Sequence, residues 1–253
     1  MYHRLGSGRL AEREPGEHLY AVTPEAFEAQ LDTLTSGSCS PGELSAVCAG
    51  TDGLKNPVAI TFDDGNASDH SVALPALVRR RLRAAFFVTP AWVGRPGFMD
   101  WPEIRELAAA GMTVGAHGLE HVPLSALSAE ELGKQLGEAR RVIESKLTRS
   151  VEWLALPGGF GGRREVQAAR EAGFRNVLGS VPRVARAGAS DEPIPRFSVR
   201  RGQSLASFRA LVEQHRPARL RYWLRHVAIG QMRAVLGSRG HARLRDAWLK
   251  VSA

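Results

Sequence analysis

Val58-Ala-Ile-Thr-Phe62 is a short apolar run that ends on Asp63-Asp64-Gly65. Such a run, without polar alternation and closed by a turn residue, fits a strand buried on both faces. The pattern repeats downstream. Ala84-Ala-Phe-Phe-Val88, Met112-Thr-Val-Gly-Ala116, Val151-Glu-Trp-Leu-Ala-Leu156 and Phe174-Arg-Asn-Val-Leu178 are further runs of this kind. Helical stretches separate them: one near 71–82, one from Trp101 to Ala110 closed by Gly111, one over 129–147 and one over 163–172 ended by Gly173. The third opens on the capping box Ser128-Ala-Glu-Glu131, in which each end residue can satisfy the other's free backbone N–H. Pro195-Arg-Phe-Ser-Val199 reads as a last strand, with a helix from Ser204.

Upstream the signal is thinner. Thr23-Pro24-Glu25 is a helix start, and Phe27, Leu31 and Leu34 keep one face of that helix apolar. Residues 1–5 look like the tail of a strand, 6–18 like a polar loop, and 35–57 like loops with room for one helical turn. Strands alternating with amphipathic helices pair in parallel, with the helices outside. Five or six such units favour an α/β barrel, or a distorted one, over an open sheet. In either form a ligand meets the C-terminal ends of the strands. A functional residue should therefore follow a strand directly.

Composition excludes little. The 253 residues suit one large domain, and 43% hydrophobic with 24% charged residues is ordinary for a globular chain. Cys39 and Cys48 form no CxxC and read as two free thiols rather than a small disulfide loop. The net charge of +8 favours anionic partners, although an Arg-rich surface gives the same number by default. No apolar run reaches the 18 residues a membrane span needs, and the opening residues lack the apolar core of a secretory leader. As written, the chain is expected to be cytoplasmic or membrane-peripheral, and extracytoplasmic if a leader lies upstream.

Asp63 and Asp64 end one strand, and two adjacent carboxylates there cannot both face an apolar core without partners. Read alone, the pair could simply cap the next helix. His117 and His121 follow a second strand, four residues apart, a spacing that brings both rings to one side of a helical turn. A carboxylate and two His after different strands form a set that holds a divalent cation and leaves positions for water and substrate. Such a cation polarises a carbonyl, and the second Asp can take a proton from water. Leu156-Pro-Gly-Gly-Phe-Gly-Gly162 closes a third strand, either as a tight turn or as backbone that admits an oxyanion.

Ala59-Ile-Thr-Phe-Asp-Asp-Gly65, His117-Gly-Leu-Glu-His-Val-Pro-Leu124 and Leu154-Ala-Leu-Pro-Gly-Gly159 resemble the first three motifs of the polysaccharide deacetylases, also called carbohydrate esterase family 4 or the NodB homology domain. The resemblance spans roughly residues 1–212 and implies a distorted (β/α)7 barrel; beyond it, 213–253 reads from its own residues as a basic helical extension. It implies that Asp63 is the general base and that Asp64, His117 and His121 are metal ligands. The implied cation is zinc, with cobalt, nickel or iron also admissible. A backbone N–H near Gly158 and Gly159 would hold the oxyanion. The substrate implied is an N-acetylated glycan, deacetylated to release acetate.

Two departures narrow the resemblance. Where the family's third motif usually offers an Arg to orient the base, Ala155 stands here. The same loss is seen in the circularly permuted branch that deacetylates poly-N-acetylglucosamine in biofilm export. Arg196, in Pro193-Ile-Pro-Arg-Phe197, is the candidate to reach the base instead. The usual C-terminal Leu-x-His is also missing, and the permuted branch carries that His in an N-terminal Met-Tyr-His. Met1-Tyr2-His3 matches it, so His3 is the candidate acid, with His215 as its rival. Asp69 and His70 read as exposed loop residues.

Residues 216–250 hold nine Arg or Lys against one acid, Asp246, interleaved with Leu220, Trp223, Leu224 and Val227. This basic amphipathic pattern suits either an anionic membrane surface or extra helices packed on the barrel. No recognised module supports nucleic-acid binding. Besides deacetylation, a catalytically weak glycan-binding protein and a membrane-surface component of an exopolysaccharide system remain open.

Overall fold

The computed structural model describes residues 1–6, 17–50, 54–186, 188, 190–228 and 231. Six parallel strands form its centre: β1 (Ser40–Gly42), β2 (Pro57–Phe62), β3 (Ala84–Val88), β4 (Thr113–Ala116), β5 (Trp153–Ala155) and β6 (Asn176–Leu178). They lie in chain order, each paired with the next. Most are joined by helices: α1 (Pro24–Thr35) precedes the sheet, α2 (Leu44–Ala49) follows β1, and α3 (Leu74–Arg79), α4 (Trp101–Ala109), α5 (Ala129–Leu147) and α6 (Arg163–Glu171) follow β2 to β5. The helix α7 (Leu205–Val212) packs on α1.

The sheet curls into a distorted barrel, and the gap between β6 and β2 is crossed by single bridges rather than ladders. Ile194 bridges Leu178, and Tyr2 bridges Phe62. Between them Val199 N–H donates to the Met1 carbonyl at 2.9 Å, and the Met1 nitrogen donates to the Phe197 carbonyl at 2.9 Å. The expected strand at 195–199 is thus present only as extended backbone. Pro193 and Pro195 have no N–H to give, so a continuous ladder cannot form there.

Side chains alternate across the strands and build two cores. Outside the sheet, Phe62 stacks on Phe86 at 4.7 Å and on Tyr2 at 5.3 Å, with Phe27 of α1 edge-on to Tyr2 at 5.1 Å. Burying each of these rings contributes about 1.5–3 kcal/mol. Inside, Ala85, Phe87, Trp153, Ala155 and Leu178 form a smaller cluster. Gly115 is required there, since a Cβ would stand 2.7 Å from the Phe87 ring.

Most boundaries follow the sequence pattern. Thr23 caps α1 by accepting from the Ala26 N–H, and Ser128 and Asp100 complete capping boxes on α5 and α4. Two differ. The loop region 35–57 contains β1 and α2, because an edge strand of Ser-Pro-Gly has no apolar alternation to reveal it. The helix expected at 71–82 begins with a π turn, Asp69–Ala73, and ends at Arg79. Both cysteines are free, as expected.

Candidate metal centre

Asp63 and Asp64 leave the end of β2 in opposite directions. Asp63 continues the strand alternation and shares the interior face with Thr61. Asp64 has φ of 81°, and Gly65 behind it has φ of 79° and lies against Val88. A non-glycine residue in this region is held there by its surroundings, a cost of roughly 1–3 kcal/mol typical of functional positions. The turn aims Asp64 across the barrel mouth toward the segment that follows β4.

There, His117 Nε2 lies 3.4 Å and His121 Nε2 3.5 Å from Asp64 Oδ1. One ligand atom from each of the three residues falls within 4.8 Å of the others. His117 Nδ1 is 2.8 Å from the Ala155 carbonyl. A carbonyl only accepts, so Nδ1 carries the proton and Nε2 is left as the ligand atom. The two His are not on a helical turn, contrary to the spacing argument. The segment is a loop with φ of 70° at Gly118 and 59° at His121, which folds the His121 ring back to 5.0 Å from His117. A side chain at Gly118 would meet Pro157 at 3.0 Å.

Asp63 is 2% exposed and gripped by Arg196, whose Nη1 and Nη2 donate to Oδ1 and Oδ2 at 2.7 and 2.8 Å. Arg196 Nε donates to the Gly179 carbonyl at 2.9 Å and Nη1 to Thr61 Oγ1 at 3.2 Å, while the guanidinium lies over the Phe87 ring. The expected approach of Arg196 to Asp63 is therefore present as a two-pronged ion pair. The small side chain of Ala155 belongs to the same interior cluster as Phe87.

Burial by itself would raise the Asp63 pKa, but Arg196 and then His117 outweigh it and hold the carboxyl below its usual range. Burial opposes ionisation of Asp64 too, and there the neighbouring His117 and then the charge on His3 prevail, with the net shift downward. For His117, burial pushes down while Asp63 and Asp64 raise it more. The groups acting on Asp64 are three imidazoles, His117, His121 and His3. A divalent cation would give Asp64 the positive charge that Arg196 gives Asp63, so the donor set fits one.

His3 faces this centre. Tyr2 fills the outer core and donates to Gln30 at 2.9 Å, so the next residue turns the other way. Its Nδ1 is buried without a hydrogen-bond partner and its ring packs 4.9 Å from Tyr20. Burial lowers the His3 pKa, with Asp64 and Asp63 pulling upward. The rival His215 pairs with Glu213 at 3.3 Å and is mostly exposed. Of the two glycines, Gly159 donates its N–H to the Leu156 carbonyl at 2.7 Å, so that group is already engaged, while Gly158, with φ of 65°, lies exposed. A Cβ at Gly159 would collide with Ser180, 1.8 Å from its Oγ.

Asp69 is not an exposed loop residue: the π turn buries it completely. His70 pairs with Glu106 at 2.7 Å and Glu103 at 3.4 Å on α4. Sequence reasoning overlooked Trp92, whose ring lies 4.6 Å from His121, and Phe98, 4.8 Å from Trp92. Trp92 follows the end of β3, so the rule that functional residues follow strands would have flagged it. In the C-terminal region, residues 216–228 are helical and leave Leu220, Trp223 and Leu224 exposed. The later basic residues, from Arg233 to Lys250, lie outside the described residues. Among the described residues no helix is long and apolar enough to cross a membrane.

Comparison with known proteins adds four findings. The family described as polysaccharide deacetylase matches residues 50–177. The Bacillus subtilis protein YxkH, provisionally named a polysaccharide deacetylase, is 23% identical over 220 residues, covering 84% of this chain and 75% of that protein. IcaB from Ammonifex degensii superposes with a TM-score of 0.68 at 25% identity, over 84% of this chain and 94% of its own. A deacetylase from Streptococcus pyogenes, PplD in complex with acetate, gives a TM-score of 0.71 at 19% identity, over 81% of this chain and 92% of its own.

Proposed function

The chain belongs to the polysaccharide deacetylase family, and on that premise we propose that it is a metal-dependent hydrolase removing N-acetyl groups from an N-acetylhexosamine-containing glycan. One observation carries the reading: a carboxylate held in a guanidinium fork, Asp63, stands beside the Asp64, His117 and His121 cluster at the strand ends. Asp64, His117 and His121 would hold the cation, zinc by preference and otherwise cobalt, nickel or iron. When bound, it supplies Lewis acidity toward an acetyl carbonyl and toward water.

The remaining work falls to side chains. Asp63, kept ionised and fixed in direction by Arg196, accepts the proton of the attacking water. His3, on the Tyr20 side, delivers a proton to the departing amine as the C–N bond breaks. Acetate and a free amino sugar result. The Gly158 backbone is the candidate contact for the oxygen that turns negative, and Trp92 offers a flat wall beside His121 for a sugar ring. Purified protein is expected to hold about one equivalent of divalent metal and to release acetate from an N-acetylated glycan panel. Absence of acetate with zinc, cobalt, nickel and iron would leave a catalytically weak glycan-binding protein. The Arg196 fork speaks against one motive for that alternative, the missing Arg at position 155.

The division into a barrel over 1–212 and an extension over 213–253 is retained as a proposal. The start of the extension docks on the barrel through Tyr222, which packs 5.5 Å from Phe197 and donates to Gln203. A peripheral contact with an anionic membrane is a separate reading, motivated by the exposed Leu220, Trp223 and Leu224. Co-sedimentation with phosphatidylglycerol vesicles should fall at least fivefold in L220S/W223S/L224S. Equal binding by both proteins removes this reading.

A further inference from the structure

A cavity of about 770 Å³ lies between the 200–203 turn, α7 and the helix at 216–228. That size suits a small-molecule ligand or part of one. Its walls carry Arg200, Arg201, Arg216, Arg221 and Arg225 together with His215, and among the described residues no acidic one lines it. Arg201, Arg216, Arg221 and Arg225 are exposed, so solvent screens much of their mutual repulsion, yet the five guanidinium groups still give the cavity a strongly positive potential. Arg225 registers it, since burial first and the charge of Arg200 second depress its pKa.

The hydrogen bonds leave donors over. Gln203 Oε1 accepts from the Arg200 N–H at 3.4 Å and from the Tyr222 hydroxyl at 3.1 Å. Its Nε2, and Arg200 Nε, are buried without any acceptor. Unpaired buried donors of this kind cost about 1–3 kcal/mol each unless a ligand or water meets them. The first turn of the helix at 216–228 also borders the cavity through Arg216, Pro217 and Ala218, and adds the positive end of its dipole. Helical spacing puts Ala218, Arg221, Tyr222 and Arg225 on one side, toward the cavity, with Leu220, Trp223 and Leu224 on the other.

Tyr20 lies between His3 and the cavity wall. Its ring packs 4.9 Å from His3 on one side and 5.6 Å from the Arg200 guanidinium on the other. The ring thus separates Arg200, on the cavity wall, from His3. Guanidinium forks match phosphoryl oxygens two at a time, and five of them suit a group with more than one negative charge.

We propose that this cavity is a subsite for the diphosphate of an acetylated sugar or short glycan carried on a nucleoside or polyprenyl diphosphate. The substrate class is then an activated precursor, not a finished neutral polymer. The substrate half of this statement rests on the deacetylase reading; the anion site does not.

Two measurements separate them. Calorimetric titration with inorganic pyrophosphate is expected to show saturable binding to the full chain, at least tenfold weaker in R221Q/R225Q. The control R79Q/R141Q removes the same charge from exposed positions elsewhere and is expected to bind as the parent does. Equal weakening in both double variants, or no binding to the parent, overturns the anion site. Circular dichroism confirms that each variant is folded. For the substrate, kcat/KM is compared between an acetylated amino sugar and the same sugar on uridine diphosphate or on undecaprenyl diphosphate. A preference of tenfold or more for either carrier, collapsing in R221Q/R225Q, supports the subsite and names the source. Equal kcat/KM for free and carried sugar overturns the substrate assignment. Turnover of none of them, with pyrophosphate binding intact, refutes the deacetylase reading alone.

Discussion

Replacing Asp63 with asparagine is expected to lower kcat for acetate release by about 10²–10⁴-fold while metal content stays stoichiometric, the magnitude usual for a lost general base. His121→Ala is expected to act differently. It removes one of the three converging ligand atoms and should empty the site as well as abolish turnover. Metal analysis of both variants separates the two roles. The geometry motivates the split, because Asp63 points at Arg196 and Asp64 at the His pair. If D63N loses its metal too, or if both variants keep full activity, the assignment of base and ligand fails. D63N also strands the buried Arg196 charge and turns an amide N–H toward one of its donors, a cost of about 3–5 kcal/mol, so circular dichroism establishes that it is folded before kcat is compared.

Replacing Arg196 with methionine has the largest expected effect on stability. The pair is nearly closed to solvent, with side-chain exposures of 6% for Arg196 and 3% for Asp63. Removing one partner of such a pair strands the other charge, which costs about 3–5 kcal/mol. For a domain of this size that corresponds to a fall in Tm on the order of 10 °C. The Gly179 carbonyl and Thr61 hydroxyl lose their donor as well. Arg196→Lys keeps a positive charge but not the two-pronged fit, so it should melt between parent and methionine variant. A methionine variant melting within about 2 °C of the parent would show that Arg196 does not hold this site together.

The Arg196 prediction marks the limit of reading a chain one segment at a time. The α/β alternation was legible because burial on both faces leaves uninterrupted apolar runs such as Ala84–Val88, and because caps such as Ser128 with Glu131 declare helix starts. β1 was not legible, since Ser-Pro-Gly at an edge carries neither apolar periodicity nor bulk. The closing segment at 195–199 was recognisable as extended but not as a set of single bridges, which depend on where Pro193 and Pro195 meet β6 and Met1.

The candidate site divides the same way. By itself, the sequence determined which residues follow strands: Asp63 and Asp64 after β2, His117 and His121 after β4. Chain order and strand polarity bring all strand ends to one mouth, so these four converge whatever the details. Only the tertiary structure decided which carboxylate faces which partner. That choice rests on the positive φ at Asp64 and on the loop folding at Gly118 and His121, and no local spacing encodes either. It also rests on Arg196 reaching Asp63 across 133 positions of chain. A contact between distant residues is fixed by the packing around it, here the interior space shared with Phe87 and Ala155 and the acceptors offered by Thr61 and Gly179.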